Sequence, residues 1–364
     1  MKIKFPVYKP SLSGNEKKYV MECLESTWIS SKGKFINQFE QGFSEYLGIK
    51  YSAAVSNGTV ALHAALLALG IGKDDEVIVP TFTYIASVNA IHYTGAIPVF
   101  VDSKEDTWQM DPEEVRRKLT KKTKAVMAVH LYGDTCEMDE LVKFCKENNL
   151  YLIEDTAEAF GSKYNGKFAG TFGDISTFSF FGNKTITTGE GGMVSTNNKE
   201  LYDLVFKIKG QGLAAGKEYF HDIVGYNYRM TNICAAVGSA QLENADVIIT
   251  KKREIANWYN KNLRDLPLQL PKESKEIFHT YWMYTVMVDD PDKRDKLRSF
   301  LKENGIETRP AFHPVHQMPM YYKKGVSFPV AESLALKGFN LPSYPELEEI
   351  DVEFISKIIN EFFS

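Results

Sequence analysis

The sequence predicts an α/β protein: a mostly parallel central sheet with helices on both faces, followed by a smaller C-terminal α+β domain. Three observations carry that prediction. Short runs rich in β-branched and aromatic residues alternate with helical stretches through the first two thirds of the chain. The runs are nearly continuous in hydrophobicity, as strands covered on both faces are, rather than alternating in and out. Beyond about Gln241 the alternation gives way to a long charged helix and shorter elements.

In chain order, strands are expected at 76–79, 97–101, 125–129, 151–154 and 175–180, with helices such as 60–69 and 138–148 between them. Strand–helix–strand order implies parallel pairing with crossover helices on both sides of the sheet. A Gly-rich turn at 188–192 leads into a further strand. The C-terminal part is expected as a helix over 241–263, a strand over 281–288, a helix over 294–304 and a closing helix over 351–363. This divides the chain into a large domain, 1–240, which includes the N-terminal segment, and a small domain, 241–364.

A chain of 364 residues is too long for one small core, which fits two domains. A net charge of -4 argues against a general nucleic-acid binder or a membrane-surface protein. Cys23, Cys136, Cys145 and Cys234 show no C-x-x-C spacing, so neither a zinc site nor a thioredoxin-like motif is expected. Scattered cysteines suit a reducing compartment, and the first residues lack the apolar run of a signal peptide. The longest apolar stretch, near 64–69, is too short to span a bilayer. The expected location is the cytoplasm.

Four segments bear on chemistry. The first is Ser56, Asn57, Gly58 and Thr59, directly before an apolar helix. Glycine lets backbone approach a ligand, and a helix N-terminus offers unpaired N–H groups to an anion. Taken alone, the segment fits a plain helix cap equally well. The second is Asp155, at the carboxyl end of a strand, the edge where open parallel sheets bind ligands. Alone it too reads as a helix cap. The third is Lys184, which follows the aromatic run Phe178, Phe180 and Phe181. Apolar surroundings favour the neutral, nucleophilic amine, although a single loop lysine is ordinarily a solvated charge. The fourth, Thr188 to Gly192, lacks the order of a dinucleotide fingerprint. Residues 161–167 satisfy most of a nucleotide-binding P-loop, but Phe168 stands where the magnesium-binding hydroxyl belongs and no helix start follows.

The blocks 154–161, 173–184 and 187–192, in that order, resemble the DegT/StrS-type nucleotide-sugar aminotransferases, and the resemblance runs over nearly the whole chain. It implies a fold-type-I pyridoxal 5'-phosphate (PLP) aminotransferase acting as a homodimer with shared active sites. It implies that Lys184 forms the Schiff base with PLP, that Asp155 contacts the pyridine nitrogen and that Tyr84 stacks on the ring. Gly58, Thr59 and Ser179 would contact the phosphate, Glu158 would lie near the cofactor hydroxyl, and Asn227 would reach the phosphate from the neighbouring subunit. Dehydratase relatives carry His at the position of Lys184, so the lysine points to amino transfer.

The same resemblance implies L-glutamate as amino donor. Its acceptor would be a 4-keto-6-deoxy sugar on a nucleoside diphosphate, GDP-4-keto-6-deoxy-D-mannose first among them, aminated at C4 for surface polysaccharide. Two departures, Asp134–Thr135 and His313, fall in segments expected near the substrate. They leave open another nucleotide-linked keto sugar or a smaller phosphorylated ketone. Arg229 and Arg309 are candidates for holding a phosphate or carboxylate, since guanidinium groups match those anions, and surface ion pairs would explain them equally well. A PLP-binding regulator without turnover is the rival reading, and the pairing of Lys184 with Asp155 speaks against it.

Overall fold

The computed structural model describes residues 3–364. Its main sheet has seven strands in the order Tyr51–Val55, Gly192–Thr196, Ile175–Ser179, Tyr151–Asp155, Thr123–Val129, Glu76–Pro80, Ile97–Val101. From Ile175–Ser179 onward every neighbouring pair is parallel. Gly192–Thr196 runs antiparallel to both of its neighbours. The α/β architecture expected from the sequence is the one observed, and the five runs expected as strands between 76 and 180 all contribute strands to this sheet.

Their continuous hydrophobicity has the expected cause. Val77 and Val79 pack on one face with Leu62 and Leu66 of the helix Gly58–Ala68. Ile78, between them, packs on the other face with Leu141 and Phe144 of the helix Met138–Glu147. Successive side chains point to opposite faces, so a strand covered on both must be apolar throughout. The helix Gly58–Ala68 is itself buried nearly all round, which explains why it shows no polar stripe.

Tyr51–Val55 was not among the expected strands. Its sequence, Tyr-Ser-Ala-Ala-Val, has little β-branching, and it becomes a strand by pairing with Gly192–Thr196. That pairing is tight at one point. A Cβ on Gly192 would lie 2.6 Å from the Asn57 carbonyl oxygen and 2.9 Å from that of Phe178, so only glycine lets the three segments meet.

A second, antiparallel sheet has the order Leu268–Gln269, Tyr284–Val288, Gly338–Leu341, Arg309–Pro310. It shares a core with the helices Ala245–Leu263, Pro291–Glu303 and Glu349–Phe363. Phe5 packs into that same core and pairs with Ile306, so the start of the chain is fastened to its C-terminal part.

The helix expected over 241–263 begins later than the charge pattern suggests. A separate helix, Asn232–Glu243, ends before Asn244, and Ala245–Leu263 starts afresh. Gln241 is the cause of the misreading: it is polar but buried, and belongs to the end of the first helix. Its amide donates to Ser11 and Glu16 and accepts from the Thr187 backbone.

Residues 161–167 form no P-loop. Lys163–Tyr164 and Lys167–Phe168 are paired strands joined by Asn165 and Gly166, both at positive φ (48° and 77°). Asn-Gly at two such positions is the favoured two-residue hairpin turn.

Candidate active site

The parallel strands end together at one edge of the main sheet, and a cavity of about 770 Å³ opens there. Its walls come from both sheets: Gly58, Thr59 and Ser179 on one side, Asp155, Glu158 and Lys184 on the floor, Arg309 and Phe312 on the other.

At Gly58 the cap and the anion cradle coexist. The Asn57 side chain accepts from the Val60 N–H at 3.0 Å, which caps the helix. Gly58 and Thr59, at the first turn, line the cavity with N–H groups that have no intrahelical acceptor. A Cβ on Gly58 would sit 2.7 Å from the Ser179 Cβ. The glycine therefore brings a helix N-terminus and a serine hydroxyl to one point, an arrangement suited to a phosphate.

Asp155 ends its strand almost fully buried. One carboxylate oxygen accepts the Ser87 hydroxyl at 2.7 Å and the other the Ala157 N–H at 3.2 Å. Burial pushes its pKa up, opposed by those two hydrogen bonds and by the Lys184 charge. Ser87 was missed in the sequence because a serine one turn into an apolar helix carries no local signal.

Lys184 is largely but not fully buried, its side chain 13% exposed, and burial drives its pKa down while Glu158 and Asp155 pull it back up. Its Nζ lies 3.7 Å from the Glu158 carboxylate and 3.9 Å from the ring centre of Trp282. Two hydrogen bonds clamp the backbone on either side of it. The Trp282 indole donates to the Asn183 carbonyl at 2.7 Å, and the Tyr8 hydroxyl donates to the Lys184 carbonyl at 2.6 Å. Burial pushes Glu158 up to about 7, against the pull of Lys184 and of the Tyr132 N–H, which donates to it at 3.2 Å. Tyr8, Trp282 and Phe312 went unnoticed in the sequence, since each is distant along the chain and joins the site only on folding.

Tyr84 lines the cavity, is 59% exposed, and lies against Phe312 with ring centres 5.9 Å apart. Asn227, Arg229 and His313 do not line the cavity of their own chain. Asn227 is exposed and accepts from the Arg229 guanidinium at 3.3 and 3.4 Å. Arg229 borders a separate hollow of about 290 Å³ with Lys32, Glu40 and Lys209. His313 is exposed. Asp134 lies off the cavity as well, in a small hollow with Trp108 and His279, where burial pushes its pKa up to about 7.

PLP fits these residues: a helix end and a hydroxyl for its phosphate, a buried carboxylate for its ring nitrogen, and a desolvated lysine for its aldehyde. Among the described residues, no helix is long and apolar enough to cross a membrane.

Residues 10–360 match the DegT/DnrJ/EryC1/StrS aminotransferase family. The chain is 61% identical over 359 residues to the GDP-perosamine synthase of Escherichia coli O157:H7, covering 99% of this chain and 98% of that protein. It is 53% identical to the GDP-perosamine synthase of Vibrio cholerae, covering 99% of each. Among solved structures it is similar to the aminotransferase TlmJ of Streptoalloteichus hindustanus, with a TM-score of 0.94 and 30% identity over 98% of each chain. With the lysine, the carboxylate and the anion cradle assembled in one cavity, these matches establish that the chain belongs to the DegT/DnrJ/EryC1/StrS family and is a PLP-dependent aminotransferase.

Proposed function

We propose that the enzyme moves an amino group from L-glutamate to C4 of GDP-4-keto-6-deoxy-D-mannose, in the cytoplasm, to supply an amino sugar for surface polysaccharide. The observation that carries this reading is the 61% identity, along essentially the whole length, to a GDP-perosamine synthase. Asp134 and His313 do not line the cavity of their own chain, so neither departure alters that wall.

When bound, PLP supplies a carbonyl that condenses with amines and a ring that accepts the electrons of a broken C–H bond. The chain supplies the rest. Gly58, Thr59 and Ser179 hold the phosphate, and Tyr84 covers the ring. Asp155 would accept the ring N–H of PLP and so keep the ring nitrogen protonated. Lys184 would bond to the PLP aldehyde, and its amine, when free, would carry the proton between the donor's carbon and the cofactor's carbon. Burial lowers the pKa of Lys184 and so favours the neutral amine, the form that can accept that proton. Arg309, on the cavity wall, is the residue we assign to a phosphate or carboxylate of the substrate.

The substrate assignment is tested with enzyme first converted to its amino form by L-glutamate, then offered one ketone at a time in a single turnover. GDP-4-keto-6-deoxy-D-mannose is expected to restore the yellow absorbance of the starting enzyme. The assignment fails if that sugar leaves the spectrum unchanged while another keto sugar or a small phosphorylated ketone restores it.

We further propose that the enzyme is a homodimer in which Asn227 serves the partner's site. Its exposure and its distance from its own cavity support this. Lys184→Ala and Asn227→Asp proteins are each expected to be defective alone. After dissociation and mixing, both lesions can fall in one site of a heterodimer, leaving the other intact. An equal mixture should therefore regain roughly a quarter of wild-type activity. Demonstrated subunit exchange with no recovery would mean that Asn227 acts within its own chain or not at all.

A further inference from the structure

Trp282 belongs to the short segment between the two sheets' contributions to the cavity, and it touches the reacting lysine in two ways. The Lys184 Nζ lies 3.9 Å from the centre of its ring, and its indole N–H holds the Asn183 carbonyl at 2.7 Å. The ring is itself fixed from behind. It stacks on Tyr132 at 10° and 6.4 Å, and Tyr132 stacks on Phe312 at 11° and 5.4 Å. Tyr132 is fully buried, and its N–H donates to Glu158, the other neighbour of the lysine.

The backbone behind this stack leaves no room for adjustment. Gly133 is at φ 100°, and a Cβ there would lie 2.5 Å from the backbone nitrogens of both Tyr281 and Trp282. The Thr280 N–H donates to the Gly133 carbonyl at 2.9 Å. The indole is thus a rigid aromatic surface, 4% exposed, presented to a flexible side chain at the end of which the chemistry occurs.

We propose that Trp282 is a positioning residue for the enzyme's proton transfers: its ring face is the seat on which the Lys184 amine rests while it carries a proton. A lysine released from its bond has several rotatable bonds and would lose entropy in finding one productive position. An indole face attracts a cationic amine and is the strongest of the aromatic side chains in doing so. The seat holds the amine beside Glu158 and over the cavity floor while it carries the proton, so each delivery of that proton starts from one place. The proposal rests on Lys184 being the reacting amine.

The charged groups facing that amine are Glu158 and Asp155, with Glu190 and Arg309 farther round the cavity wall. All stay unchanged when only the electron density of the indole is altered, and fluorinated tryptophans do this without changing the ring's shape. The test is to produce the protein with tryptophan replaced by analogues bearing one to three ring fluorines, remove the cofactor, and titrate Lys184 by competitive acetylation read by mass spectrometry. The midpoint for Lys184 is expected to fall stepwise with fluorine number, by about half a pH unit in total. In Trp282→Phe it should be insensitive to fluorination, which separates Trp282 from Trp28, Trp108 and Trp258.

The consequence for turnover is read separately. Trp282→Leu, with a thermal midpoint close to wild type, should lower kcat about tenfold or more while leaving the KM for L-glutamate unchanged. Should the leucine variant not fold, Trp282→Phe, which keeps a weaker face and loses the indole N–H, should show a smaller fall of the same kind. A Lys184 midpoint that ignores fluorination in the wild-type protein overturns the seat. So does a normal kcat in both variants, which would reduce Trp282 to a cavity wall. Neither result touches the assignment of Lys184, whose failure would appear instead as turnover in Lys184→Ala.

Discussion

Lys184→Ala is expected to lose at least about a thousandfold in transamination rate, because one side chain serves both as the amine bonded to the cofactor and as the proton carrier. The fold should be untouched. The Lys184 side chain makes no structural hydrogen bond beyond its contact with Glu158, and the backbone clamps from Tyr8 and Trp282 do not involve it. Removing the lysine also removes a cation beside Glu158, whose carboxyl burial already pushes up to about 7. With that pull gone, Glu158 in the variant should take up a proton at still higher pH. The measurement is a single turnover with L-glutamate, followed by absorbance and by mass spectrometry of the product. Turnover within tenfold of wild type would refute the assignment of Lys184.

Asp155→Asn is expected to lower the rate on the order of a hundredfold, since a neutral amide cannot hold the ring nitrogen protonated as a carboxylate does. Stability should behave in the opposite way. Burial raises the Asp155 pKa, so in the cofactor-free protein its favourable contribution is present at low pH and is lost as pH rises through the folded value. Asparagine carries no charge to bury, keeps one acceptor oxygen, and the Ser87 hydroxyl can rotate to accept from its amide. Thermal unfolding of the cofactor-free proteins at neutral pH should therefore find the variant at least as stable as wild type. A large drop in midpoint would mark Asp155 as a structural residue, and a mild kinetic effect with full PLP occupancy would remove it from the catalytic machinery.

Much of this protein was legible in its sequence, for local reasons. Continuous apolar runs could only be strands covered on both faces, and Val77, Ile78 and Val79 divide between two cores as that pattern requires. Asn57 and Gly58 announced a helix start, and Phe168, standing where a magnesium-binding hydroxyl belongs, argued against a P-loop at 161–167. Lys184 and Asp155 were singled out by their places after strands, and the ordered blocks around them supplied the chemistry.

What only the tertiary structure decided is the company those residues keep. The sequence could not show that Tyr8 and Trp282, 176 and 99 positions from the carbonyls they hold, clamp the backbone around Lys184. Nor could it show that Tyr132 and Phe312 stack behind the indole, or that Asp134 turns away into a different hollow. Periodicity and caps reflect forces acting within a few residues of one another, and a sequence displays those directly. Burial, desolvation and hydrogen bonds between distant segments exist only once the sheets have packed, and in this enzyme they set the position and protonation of the reacting amine.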